Sequence, residues 1–293
     1  MNSKGLSNDE TSIRFSVKTL SKATHSYKIK PPLIKKSRIG RESWAINFAV
    51  GCTHGCRFCY VDAIHKKHPR RGLEGLVKRP WGDYFAIPSN IIEAIVRTPW
   101  HRWRNKLVYM STTHDPYLPQ LYRISRIIVE RALRAGIKLY IMTRSQLVLR
   151  DIDILKRYRE NVRVGVSIAT SSETLSRIIE PRVPSPSKRL QVLRELKNHG
   201  IKTEALLAPI LPPNKYRPDV YRDLVKLAEK LSEIGVDKVH GESLHPRGKN
   251  MEYLAKALGE SISVRGWDYR AEAIFYRVMN EYGLRGEWYA ERY

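Results

Sequence analysis

Three times in this chain a helical tail runs into a glycine, then Ile or Val, then a mostly apolar run: ALRAGIKLYIM at 132–142, ELKNHGIKTEALL at 195–207 and LSEIGVDKVHG at 231–241. Each reads as a helix ended by a left-handed glycine (Gly136, Gly200, Gly235) and followed at once by a strand, the short connection of αβ units. Strand, helix, strand in repetition requires parallel strands joined by right-handed crossovers. Six strand candidates emerge, at 44–50, 106–112, 137–143, 161–170, 202–210 and 237–244. Between the last two, Val220, Leu224, Leu227, Leu231 and Ile234 mark one face of a helix that Asp219 can cap.

Such units either lie open as a doubly wound sheet or curl into a barrel. In 161–170, Val162, Val164, Val166 and Ile168 alternate with Arg163, Gly165, Ser167 and Ala169, so one face is apolar and the other small or polar. In 44–50, Trp44, Ile46, Phe48 and Val50 likewise oppose Ala45, Asn47 and Ala49. A sheet covered by helices on both sides prefers apolar residues on both faces. The expectation is therefore an α/β fold, a partial (β/α)6 barrel of TIM type, with ligands at the C-terminal ends of the strands. Residues 1–43 read as a basic arm, 44–245 as the barrel, and 246–293 as a C-terminal helical extension in which Ala271, Ile274, Phe275 and Val278 recur at helical spacing.

The chain carries 53 Lys and Arg against 29 Asp and Glu, a formal charge of +24. An excess of this size attracts polyanions. The alternative, a surface tuned for heat, would raise acidic residues in parallel, and they are not raised. No apolar run has the length of a membrane span and the first twenty residues lack a signal-peptide core, so the expectation is a cytoplasmic protein with no membrane partner.

All three cysteines lie in GCTHGCRFCY at 51–60, directly after the first strand. Their number excludes full disulfide pairing, and their spacing suits a metal. Zinc would need a fourth ligand, for which His54, His65 and His68 are at hand. A [4Fe–4S] cluster on three thiolates would instead keep one iron open.

Cys52-x3-Cys56-x2-Cys59, with aromatic Phe58 before the last cysteine, resembles the signature of the radical S-adenosylmethionine (SAM) superfamily. WAINFAVGCTHGCRFCYV, MSTTHDPYLP, TRSQLVLRDIDIL, VSIATSSETLSRIIEPRVPSPSKRL and APILPP resemble, in order, blocks of its spore photoproduct lyase-like branch, over roughly residues 40–245. The resemblance implies a barrel of the radical SAM type and a [4Fe–4S] cluster on Cys52, Cys56 and Cys59. It implies SAM bound at the open iron, an external one-electron donor of ferredoxin or flavodoxin type, and a 5′-deoxyadenosyl radical that takes hydrogen from substrate. It also implies that Phe58 packs near adenine and that Ser111, Thr112, Thr113, Arg144 and Ser167 hold SAM, with Arg144 where relatives commonly have Lys.

Asp115 and Tyr117 follow the second strand and are candidates for substrate contact or for turning the chain at Asp-Pro; Tyr60 and Tyr117 are candidate hydrogen relays. Glu204 and Glu242 read as salt-bridge partners in the barrel wall. TSSE at 170–173 reads as a capping box, and Asp151 and Asp153 as residues of a helix start. Spore photoproduct lyase relies on a cysteine outside the motif as hydrogen donor, and this chain has none, which argues against that reaction itself. With the basic run KIKPPLIKK, and with Trp100 and Trp103 in TPWHRWRNK as possible stacking platforms, the expected substrate is a DNA or RNA base. A radical SAM enzyme for a peptide or small metabolite, and a noncatalytic iron–sulfur or zinc protein bound to nucleic acid, are the alternatives.

Overall fold

A computed structural model describes residues 27–37 and 43–290. Its strands are β1 (Ile34–Lys36), β2 (Trp44–Ile46), β3 (Val50–Gly51), β4 (Phe85–Ala86), β5 (Leu107–Met110), β6 (Lys138–Thr143), β7 (Val162–Ser167), β8 (Lys202–Ile210), β9 (Lys238–Ser243) and β10 (Gly286–Trp288). Its helices are α1 (Val61–Lys67), α2 (Ile91–Val96), α3 (Tyr122–Arg134), α4 (Ile152–Arg157), α5 (Glu173–Ile179), α6 (Pro186–Asn198), α7 (Val220–Ile234), α8 (Asn250–Leu258) and α9 (Trp267–Glu281). The main sheet runs β1-β2-β5-β6-β7-β8-β9-β10, parallel from β2 onward, while β3 and β4 form a separate antiparallel pair.

Spatial order follows chain order without reversal. A doubly wound sheet reverses at its switch point, whereas crossovers of one hand place every helix on the same side and leave the other as a lumen. The expected partial barrel is the observed fold. The side of β7 carrying Val162, Val164 and Val166 is buried with the core. On the opposite side Gly165 lets the Tyr140 ring approach, since a Cβ there would lie 2.7 Å from the Tyr140 hydroxyl. Arg163 covers that ring at 4.2 Å, and Glu204 accepts from Arg163 at 3.3 Å and pairs with His240 Nε2 at 2.7 Å. Glu204 is thus the wall salt bridge expected of it.

The six expected strands correspond to β2 and β5–β9; β1 and β10 are additions. Residues 27–37, assigned to the arm, pack onto the fold. Tyr27, Leu33 and Ile34 are buried, the Leu33 amide donates to Thr98 Oγ1 (2.9 Å), the Ile29 amide donates to Asn90 Oδ1 (3.0 Å), and β1 pairs antiparallel with β2. The Lys and Pro content of this segment hid three apolar anchors. The rest of the expected arm, 1–26 and 38–42, lies outside the described residues. At the other end, α9 buries Ala271, Phe275 and Val278 against β9 and α7, and β10 then lengthens the sheet, so this region supplies a strand as well as helices.

Some local details differ from expectation. The run 44–50 is not one strand: β2 stops before Asn47, whose side chain leaves to bond the end of β5. The cap of α5 is Ser172, which accepts from the Leu175 amide, while the Thr170 hydroxyl donates to Asp223. Asp151 precedes α4 without capping it and accepts from Tyr117 Oη and Arg126 instead. Trp100 and Trp103 are buried, the first donating to the Ile95 carbonyl at 3.0 Å and the second edge-on to Trp44 at 5.5 Å, so neither is a stacking platform. Asp219 caps α7 and Gly235 ends it in the left-handed region, as expected.

Candidate functional site

The cysteine loop begins at Gly51, where φ is +85° and a Cβ would lie 2.3 Å from the Tyr84 carbonyl oxygen. Gly51→Ala is expected to cost roughly 1–2 kcal/mol for the backbone conformation alone. The clash adds to this, displacing the loop and lowering iron bound per chain after reconstitution, which colorimetric iron assay checks.

Beyond Gly51 the loop is shaped by distant residues. The Arg57 amide donates to the Ile179 carbonyl at 2.8 Å, and Asn250 Nδ2 donates to the Phe58 carbonyl at 3.1 Å. The Arg182 guanidinium reaches the Thr53 carbonyl (3.2 Å), the Gly82 carbonyl (2.5 Å) and Asp83 Oδ1 (2.7 Å). The His54 ring lies between the Arg182 carbonyl (3.1 Å from Nδ1) and Asp115 Oδ2 (3.1 Å from Nε2). Both ring nitrogens face these framework oxygens, so neither is turned to a metal.

Cys52 and Cys56 are buried and Cys59 half-buried. Burial, and then the Asp115 carboxylate, push the Cys52 thiol up to about 12, although the backbone amides of Asp115 and His54 work against this. Burial and the neighbouring Cys56 push Cys59 up to about 12. Burial raises Cys56 as well, with Arg144 partly offsetting it. Three thiols that each resist ionisation and raise one another become thiolates together only against a concentrated positive charge. Among the described residues no three His, Cys, Asp or Glu side chains converge on a single ion. Separate irons of one cluster take separate thiolates, so the donor set fits a cluster better than a lone zinc.

Around the loop stands a chain of buried charge. The Arg144 guanidinium lies 5.5 Å from the Phe58 ring centroid, with Nε on Glu180 (2.9 Å) and Nη2 on the Ala208 carbonyl (3.0 Å), leaving Nη1 without a protein partner among the described residues. Burial would lower its pKa, but Cys56, Glu180 and Cys59 raise it. Glu180 also receives both terminal nitrogens of the fully buried Arg189, at 3.1 and 2.6 Å, and Arg189 donates further to the Ser167 carbonyl at 2.7 Å. Ser167 is itself buried.

At the end of β5, Ser111 Oγ donates to Asn47 Oδ1 (2.8 Å), which also accepts the Thr112 amide (2.9 Å), while Asn47 Nδ2 donates to Thr112 Oγ1 (2.9 Å). Thr113 follows at the rim of a cavity. Half-exposed Tyr60 donates its hydroxyl to the Thr112 carbonyl at 3.1 Å.

Asp115 accepts from four groups: His54, the Thr143 hydroxyl (2.7 Å), the Arg144 amide (2.7 Å) and the Tyr117 amide (2.8 Å). Burial pushes its carboxyl up, but those donors outweigh it and hold it at about 2. Tyr117 is fully buried, with its hydroxyl on Asp151 at 2.8 Å. In the structure Asp115 organises the loop and the β6 end, and Tyr117 lies in the core beneath it.

Asn47, Glu180, Arg189 and Asn250 carry much of this framework, and none was singled out as a site residue from sequence; His54, considered there only as a zinc ligand, belongs to the framework as well. Asn47 had a signal, a polar residue within an apolar strand pattern. The others are recognisable only by what they touch.

Two openings adjoin the loop. A cavity of about 170 Å3 is lined by residues following β2 and by the C-terminal part of α1. A larger groove, about 1020 Å3, is lined by Arg57, Lys66, Lys78, Lys249 and Lys256 against Glu74 and Glu252.

The profile of the radical SAM superfamily matches residues 46–216, more than half of the chain. The chain belongs to the radical SAM superfamily. This radical SAM protein is 50% identical over 279 residues to an uncharacterized protein, ORF301, of Acidianus two-tailed virus, covering 91% of this chain and 93% of that one. It is 30% identical over 191 residues to uncharacterized protein MJ0683 of Methanocaldococcus jannaschii, covering 63% and 66%. Among solved structures, spore photoproduct lyase complexed with dinucleoside spore photoproduct has the same fold, with a TM-score of 0.64 at 16% identity over 90% of this chain and 82% of that one. Membership in the superfamily implies a [4Fe–4S] cluster, SAM and an electron donor. No helix among the described residues is long and apolar enough to cross a membrane.

Proposed function

We propose that this radical SAM enzyme holds its cluster on Cys52, Cys56 and Cys59 and acts on a base of DNA or RNA, modifying or repairing it. The observation that carries the substrate class is the groove of five cations and two carboxylates that includes Arg57 of the cysteine loop itself, on a chain of net charge +24. Lys and Arg along such a groove neutralise successive phosphates. The shared fold of a lyase solved with a dinucleoside substrate agrees with that reading.

When bound, the cluster on Cys52, Cys56 and Cys59 and its SAM would supply one-electron cleavage of a sulfonium and abstraction of hydrogen from substrate. The chain's residues bind, orient and exclude water. Phe58 offers a face for adenine, with Arg144 fixed beside it by Glu180, and the Nη1 of Arg144 would be the donor to the SAM carboxylate. Ser111 and Thr112, ordered by Asn47, offer hydroxyls for ribose, and Ser167 closes the wall. Tyr60, half-exposed in the loop, is the phenol placed to return a hydrogen atom. With no thiol outside the motif, the reaction is distinct from that of spore photoproduct lyase in its last step.

The test is anaerobic reconstitution followed by turnover with dithionite, SAM and fully deuterated DNA or RNA oligomers. Deuterium in the 5′-deoxyadenosine formed is the expected result. Production of unlabelled 5′-deoxyadenosine with both polymers would retain the radical chemistry and remove nucleic acid as substrate.

A further inference from the structure

The cavity of about 170 Å3 lies where the end of β2 meets α1, and its polar lining is Asn47, His65, His68, Arg70 and Thr113. No carboxylate lines it. Arg70 forms no ion pair among the described residues; its guanidinium rests 5.6 Å from the Tyr27 ring centroid. His65 is more than nine-tenths buried, and its Nδ1 has no hydrogen-bond partner. A buried imidazole nitrogen left unpaired costs free energy unless something fills the space beside it. An open cation, an unsatisfied ring nitrogen, an amide and a hydroxyl converging without a counter-charge form a receptor for an anion with several acceptor oxygens.

We propose that this cavity binds one phosphate group of a nucleic-acid strand, fixing the nucleotide next to the base that reacts. The proposal rests on the reading of substrate given above and adds the place where the backbone is held. Arg70 supplies the charge, His65 and Thr113 donate to non-bridging oxygens, and Asn47 couples the bound phosphate to the Ser111 and Thr112 ends of β5. The volume suits a phosphate with its flanking ester carbons, being about six times the share of one water in the liquid. Continuity with the basic groove supports a polymer, since Val77 lines both openings and the last turn of α1 presents His65 to one and Lys66 to the other. Burial, and then Arg70, lower the His65 pKa to about 4, so the cavity wall carries a neutral ring that can hold its proton on Nδ1.

The experiment is fluorescence anisotropy of a labelled ten-nucleotide thymidylate on reconstituted enzyme at a series of salt concentrations. The variants are Arg70→Gln, Arg70→Lys and, as a control for net charge, Lys188→Gln on an exposed position of α6. Arg70→Gln is expected to weaken binding about tenfold and to flatten the log–log salt slope by roughly 0.7, the value of one phosphate contact on a single strand. Arg70→Lys is expected to recover part of the affinity, and Lys188→Gln to change nothing. Equal binding by wild type and Arg70→Gln overturns the proposal, and does so without touching the proposed reaction if deuterium still passes from the oligomer. If wild type ignores the oligomer but binds inorganic phosphate in an Arg70-dependent manner by calorimetry, the cavity serves a free phosphorylated compound and the nucleic-acid source is overturned. Binding of neither probe overturns the site. Should Arg70→Gln not fold, the 15N shift of His65 Nδ1 in the wild-type enzyme decides: movement on adding the oligomer is required, and none overturns the proposal.

Discussion

Alanine at Cys52, Cys56 or Cys59 is expected to reduce 5′-deoxyadenosine formation to background and to abolish the broad visible absorbance of the reconstituted protein, while leaving the fold in place. The two halves of this result have different causes. Each thiol is one corner of a donor set that has no substitute, since His54 is committed to Asp115 and the Arg182 carbonyl. Yet the loop's shape comes from Arg57, Asn250 and Arg182, so loss of a single sulfur costs on the order of 1 kcal/mol. Visible spectroscopy, iron and sulfide assay, and thermal melting separate the effects. A variant that keeps full iron and activity would remove the cluster assignment.

Glu180→Ala is expected to act the other way, through stability first. Its carboxylate is the shared counter-ion of Arg189 and Arg144, with no side-chain exposure of its own or of Arg189. Removing it leaves a guanidinium in the core with no compensating charge, for which losses of about 3–5 kcal/mol are typical. Urea denaturation measures the loss, and Glu180→Gln should recover a part by retaining acceptor geometry. Burial works to raise the Glu180 pKa, but Arg189 and Arg144 outweigh it and bring it below its ordinary 4.5. A carboxylate depressed on folding contributes stability that is complete above its unfolded value. The wild-type protein should therefore lose this contribution as pH falls below about 4.5, and Glu180→Ala should show a weaker dependence across that range. Because Arg144 sits over Phe58 and beside Cys56 and Cys59, the variant is also expected to bind SAM less tightly.

The barrel was legible because its units repeat. Three helix–Gly–strand junctions and two strands with unlike faces were enough to choose parallel strands and then curvature. The failures lie where a single residue decides. Asn47 ends β2 early because its amide serves the β5 end, a contact 64 and 65 residues away that no local pattern announces. Thr170 looked like a cap but turns to Asp223 on α7, leaving the cap to Ser172. Trp100 and Trp103 have the composition of a nucleic-acid contact, and burial gives them a different use. For the site, the cysteine spacing is local and could be read directly. The pairing of Glu180 with Arg144 and Arg189 joins three elements, and only the fold brings them together.

The loop's dependence on late-arriving neighbours has a consequence for biogenesis. Its anchors, Arg182 and Asn250, follow His54 and Phe58 by 128 and 192 positions. During synthesis the three sulfurs leave the ribosome long before the residues that enclose them, as solvated, unshaped thiols. Enclosure of the thiols therefore waits for the C-terminal half of the chain, the reverse of small zinc modules in which the ion assembles the polypeptide.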